Sequence, residues 1–147
     1  MDTKTIVAKE LMETIFRFNK IHWHRSPIAG LTPSELVVLY CLKYKVDDNQ
    51  GIKVSEISDL LNVTSPNVTQ LVNSLENKGL VARDVDTTDR RVVQIKLTGE
   101  GEKVIKVAIE NIKTSFIGLV DYLGVEDSNK LAELLAKVYN YRIEKLK

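Results

Sequence analysis

The sequence predicts a mainly helical chain carrying one small β-hairpin, with helices on both sides of a compact helix–helix–hairpin block. Apolar residues recur at three- and four-residue spacing through most of the 147 residues, the period of an amphipathic helix. Two short segments near the middle alternate apolar and polar residues instead, the period of a half-buried strand. Proline and glycine stand at the joints between these stretches.

The elements follow in order. Residues 3–25 read as a helix on Ile6, Val7, Leu11, Met12, Ile15, Phe16 and Phe18, broken by Pro27 and Gly30. Thr32, Pro33 and Glu35 open the next helix: a capping hydroxyl, a proline at the first position and a carboxylate placed for a capping box. Leu36, Val37, Leu39, Tyr40, Cys41 and Leu42 nearly encircle that helix, which predicts burial all round. After a polar turn at 47–51, residues 55–62 form a short helix with Ile57, Leu60 and Leu61 on one face. A second runs over 65–78, with Pro66 at its start and Gly79 as its left-handed cap. Strands follow at 80–86 (Val81 and Val85 inward) and 92–98 (Val93, Ile95 and Leu97 inward), and 52–54 offers a third. Residues 98–101 turn the chain into a helix over 102–123, Gly124 stops it, and a last helix covers 128–145.

Composition excludes several classes. Hydrophobic residues are 44% and charged residues 28%, so the chain can bury a core and is not disordered. No apolar run approaches the roughly 18 residues of a membrane span, and the start of the chain lacks a signal-peptide pattern. One cysteine, Cys41, allows no internal disulfide and suits a reducing compartment, so a cytoplasmic protein is expected. A net charge of +1 argues against a non-specific coater of nucleic acid, whose affinity comes from neutralising phosphates. A specific binder with few, clustered cations remains open.

The chemistry concentrates in the central block. On the helix at 65–78, Val68, Leu71, Val72 and Leu75 form the buried stripe. The opposite face is then Asn67, Thr69, Gln70, Asn73, Ser74 and Asn77. Surface helices normally carry Glu and Lys there, for propensity and for ion pairs one turn apart. Amides serve a helix less well, but they can bond bidentately to adenine in the major groove. A merely polar surface helix is the competing reading. Arg90 and Arg91 stand at the hairpin tip, a narrow projection suited to the minor groove. An ion pair with Asp86 or Asp89 that tightens the turn is the alternative, and both can hold.

These residues resemble a known family. Residues 55–101 are similar to the winged helix-turn-helix of MarR (multiple antibiotic resistance regulator) proteins. The match runs through Val68–Val81, then Asp89-Arg90-Arg91, then Lys96-Leu97-Thr98-Gly99-Glu100-Gly101. The resemblance implies a winged helix-turn-helix over 32–98, with 1–31 and 99–147 forming a helical dimerisation region. It implies a homodimer reading an inverted repeat in double-stranded DNA, its recognition helices roughly 34–36 Å apart. It also implies repression relieved by a small aromatic or lipophilic effector. The DNA-reading residues would be Ser65, Asn67, Thr69, Gln70, Asn73, Arg90 and Arg91. Gln70 departs from the basic residue of many relatives, and with Asn67 and Asn73 it predicts an A·T-leaning operator. Independently, Val104 and Val107 set a second apolar stripe beside Ile105, Ala108 and Ile109, more than one small subunit readily buries.

Other stories are weaker. His22 and His24 point nearly opposite ways on a helix and have no cysteine or glutamate cluster nearby, so no metal is expected. His22, Trp23, Arg25 and Tyr40 are candidates to line an effector pocket, against a plain core or interface role for Trp23. Cys41 lies among apolar neighbours and reads as inert packing. No catalytic or cofactor motif is present, so neither an enzyme nor a cofactor is expected. A winged helix that binds only protein, or serves an architectural role without a specific operator, is the alternative. Aromatic anchors would then be expected on the exposed face.

Overall fold

The computed structural model describes residues 1–20, 30–46, 51–85, 88–89 and 91–146. It divides into two compact units, Met1–Pro33 and Ser34–Lys147. The first contains helix α1 (Thr3–Asn19). Asp2 caps it, its carboxylate accepting from the Thr5 amide at 2.9 Å, which holds that carboxyl below its ordinary pKa. Ile6, Val7, Leu11, Met12, Ile15, Phe16 and Phe18 are all exposed. The last residues of the expected helix, with His22, Trp23 and Arg25, lie outside the described residues.

The rest of the chain folds as α2 (Pro33–Tyr44), α3 (Val54–Leu61), α4 (Ser65–Asn77), β1 (Val81–Val85), β2 (Val93–Leu97), α5 (Gly99–Leu123) and α6 (Val125–Leu146). β1 and β2 pair antiparallel, from Val81 opposite Leu97 to Val85 opposite Val93. Ile52 adds a one-residue third strand through reciprocal hydrogen bonds with Ile95, at 3.0 and 2.7 Å. It goes no further because the Glu56 carboxylate takes up the Lys53 amide and α3 begins at Val54.

The core draws on every element around the hairpin. Val38, Leu39, Ile57, Val68, Val72, Leu75, Ile95, Ile105 and Ala108 are fully buried. Each of the larger side chains stabilises the fold by roughly 1.5–3 kcal/mol. Several expectations change. Val37 and Tyr40 are exposed, so α2 is buried on one side and not all round. Val85 is half exposed, because β1 runs past the core and only its first residue meets it. Residues 99–101 are the first turn of α5, not a loop ahead of it: Thr98 is the cap, accepting from the Gly101 amide at 3.0 Å. The Thr98 hydroxyl also donates to the Gly79 carbonyl at 2.7 Å, tying the end of α4 to the start of α5. Gly101 is buried at this crossing, and a Cβ there would collide with the Leu80 carbonyl oxygen. Lys43 and Glu102, 2.8 Å apart, join α2 to α5, and that bond raises the pKa of the lysine.

Beyond this block the burial stops. α6 has no buried residue, and Phe116, Ile117, Leu131, Leu134, Leu135, Val138 and Tyr141 are exposed along α5 and α6.

Candidate nucleic-acid interface

α3 and α4 are joined by a tight turn. Asn62 takes the left-handed conformation at the end of α3 (φ 54°), a region that asparagine tolerates better than most residues. Thr64 then caps α4, its hydroxyl accepting from the Asn67 amide at 3.4 Å, and Pro66 occupies the first turn, where no intrahelical donor is missed. At the far end Gly79 has φ +74°. Its amide donates to Glu76 O at 2.9 Å, and the Leu80 amide donates to Leu75 O at 3.0 Å. This pair of bonds ends the helix and satisfies its last carbonyls.

α4 therefore presents two distinct faces. Val68, Val72 and Leu75 are fully buried, whereas Leu71, expected in the same stripe, is only half-buried. Ser65, Asn67, Thr69, Gln70, Asn73 and Asn77 are exposed. Thr69 donates its hydroxyl to Ser65 O at 3.0 Å, whereas no side chain among the described residues holds Asn67 or Gln70. Ser74 departs from the expected exposed face. It is half-buried and donates to Glu35 at 3.1 Å.

Glu35, read from the sequence as a capping-box carboxylate, also lies against α4. Its side chain is 4% exposed and accepts from Ser74 and from Lys78, whose ammonium lies 2.8 Å away. Buried carboxylates survive only when paired and hydrogen-bonded, and this one grips the back and end of α4 from α2. The spacing of Glu35 with Leu39 and Leu42 already places it on the buried face, a signal available in the sequence. Arg83 on β1 was not singled out in the sequence. It donates to Glu76 at 2.6 Å and to Asn73 at 2.5 Å.

The hairpin projects beside α4. Lys96 and Asp84 pair across it at 2.7 Å. At the tip, Asp89 Oδ1 accepts from the Arg91 amide at 3.0 Å and from its Nε at 3.2 Å. The guanidinium and amide bonds hold the Asp89 carboxyl below its ordinary pKa. Arg91 nevertheless keeps 92% of its side chain exposed, so the pair orients the cation without covering it. Asp86, Thr87 and Arg90 lie outside the described residues.

The remaining candidates are placed separately. Tyr40 is 39% exposed, its ring 4.9 Å from that of Tyr44. Cys41 is buried, and desolvation raises its thiol pKa against the opposing charge of Lys45. Among the described residues no group of three or more His, Cys, Asp or Glu is arranged to hold a metal ion. Among them, too, no helix is long and apolar enough to cross a membrane.

A helix with a polar exposed face, set behind a short helix and beside an arginine-bearing hairpin, defines a winged helix-turn-helix. The sequence profile of the MarR family matches residues 31–93. The HTH-type transcriptional repressor MdtR of Bacillus subtilis is 34% identical over 109 residues, spanning 74% of this chain and 68% of that protein. Among solved structures, YusO of Bacillus subtilis is 27% identical with a TM-score of 0.63, covering 95% of this chain and 99% of that one. The repressor CouR of Rhodococcus jostii, bound to a 23-mer DNA duplex, is 29% identical with a TM-score of 0.66, covering 74% and 75%. The chain belongs to the MarR family. It is a DNA-binding transcription regulator.

Proposed function

We propose that the protein is a homodimeric repressor that reads an inverted-repeat operator and is released by a small aromatic or lipophilic effector. The observation that carries this reading is α4: Val68, Val72 and Leu75 on its back are fully buried while Ser65, Asn67, Thr69, Gln70 and Asn73 stand exposed. Amides and hydroxyls on a rigid helix suit hydrogen bonds to base edges in the major groove. Arg90 and Arg91 would enter the adjacent minor groove, and the exposure of Arg91 supports that role. The DNA-bound state of CouR and the repressor name of MdtR support the same reading.

Residues 32–98 form the reading head in this proposal, and 1–31 with 99–147 form the dimerisation region. The exposed apolar residues of α1, α5 and α6 exceed what a monomeric surface ordinarily carries, which supports burial against a second copy. The sequence offers His22, Trp23, Arg25 and Tyr40 as candidate effector-binding residues, since aromatic rings and a cation would suit an anionic aromatic molecule. It would release the operator by changing the separation of the two heads, since the half-sites fix that spacing.

The test is selection of bound duplexes from a random library at moderate salt. Enrichment of a two-fold symmetric, A·T-leaning site is expected. Binding that is weak, steeply salt-dependent and free of sequence preference would overturn the reading.

A further inference from the structure

Among the described residues, Asn73 is the one amide of the exposed α4 face that another side chain holds. Arg83 reaches it from β1, placing Nη2 2.5 Å from Asn73 Oδ1 while Nη1 donates to Glu76 Oε1 at 2.6 Å. A guanidinium carries only donors, so the atom of the amide that faces it must be the oxygen. The amide nitrogen of Asn73 is thereby turned away from the wing. Reversing the amide would set two donors against each other and forfeit a charge-assisted bond, the stronger kind. Glu76 fixes the other arm of the fork and neutralises its charge, so Arg83 is spent within the protein and is poorly placed to serve as a phosphate anchor.

We infer that Arg83 is a positioning residue for sequence reading: it locks Asn73 with its amide nitrogen as the donor offered to a base edge. This rests on the DNA-reading role proposed above for α4. A free asparagine can present either end of its amide, whereas one of fixed polarity favours a base edge that accepts. Purine N7, guanine O6 and thymine O4 are such acceptors in the major groove, and cytosine presents only a donor there. Arg83 thus sets a preference at one base position without touching the DNA.

The experiment compares duplex selections for the wild-type protein, Arg83→Met, Arg83→Lys and Asn73→Ala, position by position. Asn73→Ala is expected to flatten the preference at one position in each half-site, by about 5- to 10-fold. Arg83→Met should flatten the same position and leave the others unchanged, and the Asn73→Ala/Arg83→Met double variant should lose nothing more there. Arg83→Lys keeps a cation for Glu76 but lacks the fork, so it should show the same local loss even if Arg83→Met folds poorly. Two results would overturn the inference: an unaltered preference at that position in both Arg83 variants, or a uniform loss of affinity with a shallower salt dependence, the mark of a phosphate contact. If the wild-type protein itself selects no symmetric site, the reading of α4 fails first, and this inference with it.

Discussion

The block from α2 to β2 and the pair α5–α6 use the same helical period to opposite ends. α4 has only thirteen residues, yet Val68, Val72 and Leu75 are fully buried within the chain itself. α6 has twenty-two residues and buries none, although Leu131, Leu134, Leu135 and Val138 recur with equal regularity. The block is also closed by local bonds: the capped turn at Gly79, the Thr98 hydroxyl and the Glu35–Lys78 pair. The flanking helices have few such bonds and a large apolar area. Among the described residues one region buries its own apolar face; the other leaves it exposed, to be covered by a second copy in the dimer proposed above. Its stability should therefore depend on protein concentration.

The largest effect expected from this contrast is at Leu135. A charge at the centre of the α6 stripe cannot be buried without a partner. Leu135→Glu should give a monomer by sedimentation, remove the concentration dependence of Tm and weaken operator binding about 100-fold or more, because the two heads no longer bind together. A dimer of wild-type stability would mean that α6 is not the interface. Next in size is Gly101→Ala. The added Cβ meets the Leu80 carbonyl, and overpacking of this kind costs about 1–3 kcal/mol. Urea unfolding should register that loss while the protein still dimerises. An unchanged midpoint would show that the Leu80–Gly101 crossing relaxes freely.

The contrast also marks what the sequence could convey. The positions of α3, α4 and the hairpin were legible because cap, proline, glycine and alternation agree there: Thr64, Pro66, Gly79 and Val81 each impose a local geometry. The start of α5 was not, because glycines at 99 and 101 look like a turn until the crossing with Leu80 requires one of them. Periodicity shows that a face is apolar but not what covers it, so the exposure of Val37, Tyr40 and the α6 stripe had no signature. The exposed side of α4 was legible as a set of amides. Its supports, Arg83 and Glu35, were not read, since each acts across some ten to forty residues of chain. Glu35 alone left a trace, in its spacing with Leu39 and Leu42.

The smallest effects belong to the wing tip, where Arg91 is exposed and pairs with Asp89. Arg91→Ala should weaken operator binding modestly and reduce the salt dependence of log K by about one unit per subunit, as expected for one lost phosphate contact. An unchanged slope would remove Arg91 from the interface. The pairing itself can be followed without DNA. Arg91 favours the ionised form of Asp89 and lowers its pKa. Its contribution to holding the tip is therefore present above the ordinary carboxylate value and lost as pH falls through the lowered one. Between about pH 5 and 8 the tip should be insensitive to pH. In an NMR titration of the side-chain carboxyls, Asp89 should titrate below the ordinary value in the wild-type protein and move back up in Arg91→Ala. Identical midpoints would mean that Arg91 is unpaired in solution, and free to reach a groove without first leaving Asp89.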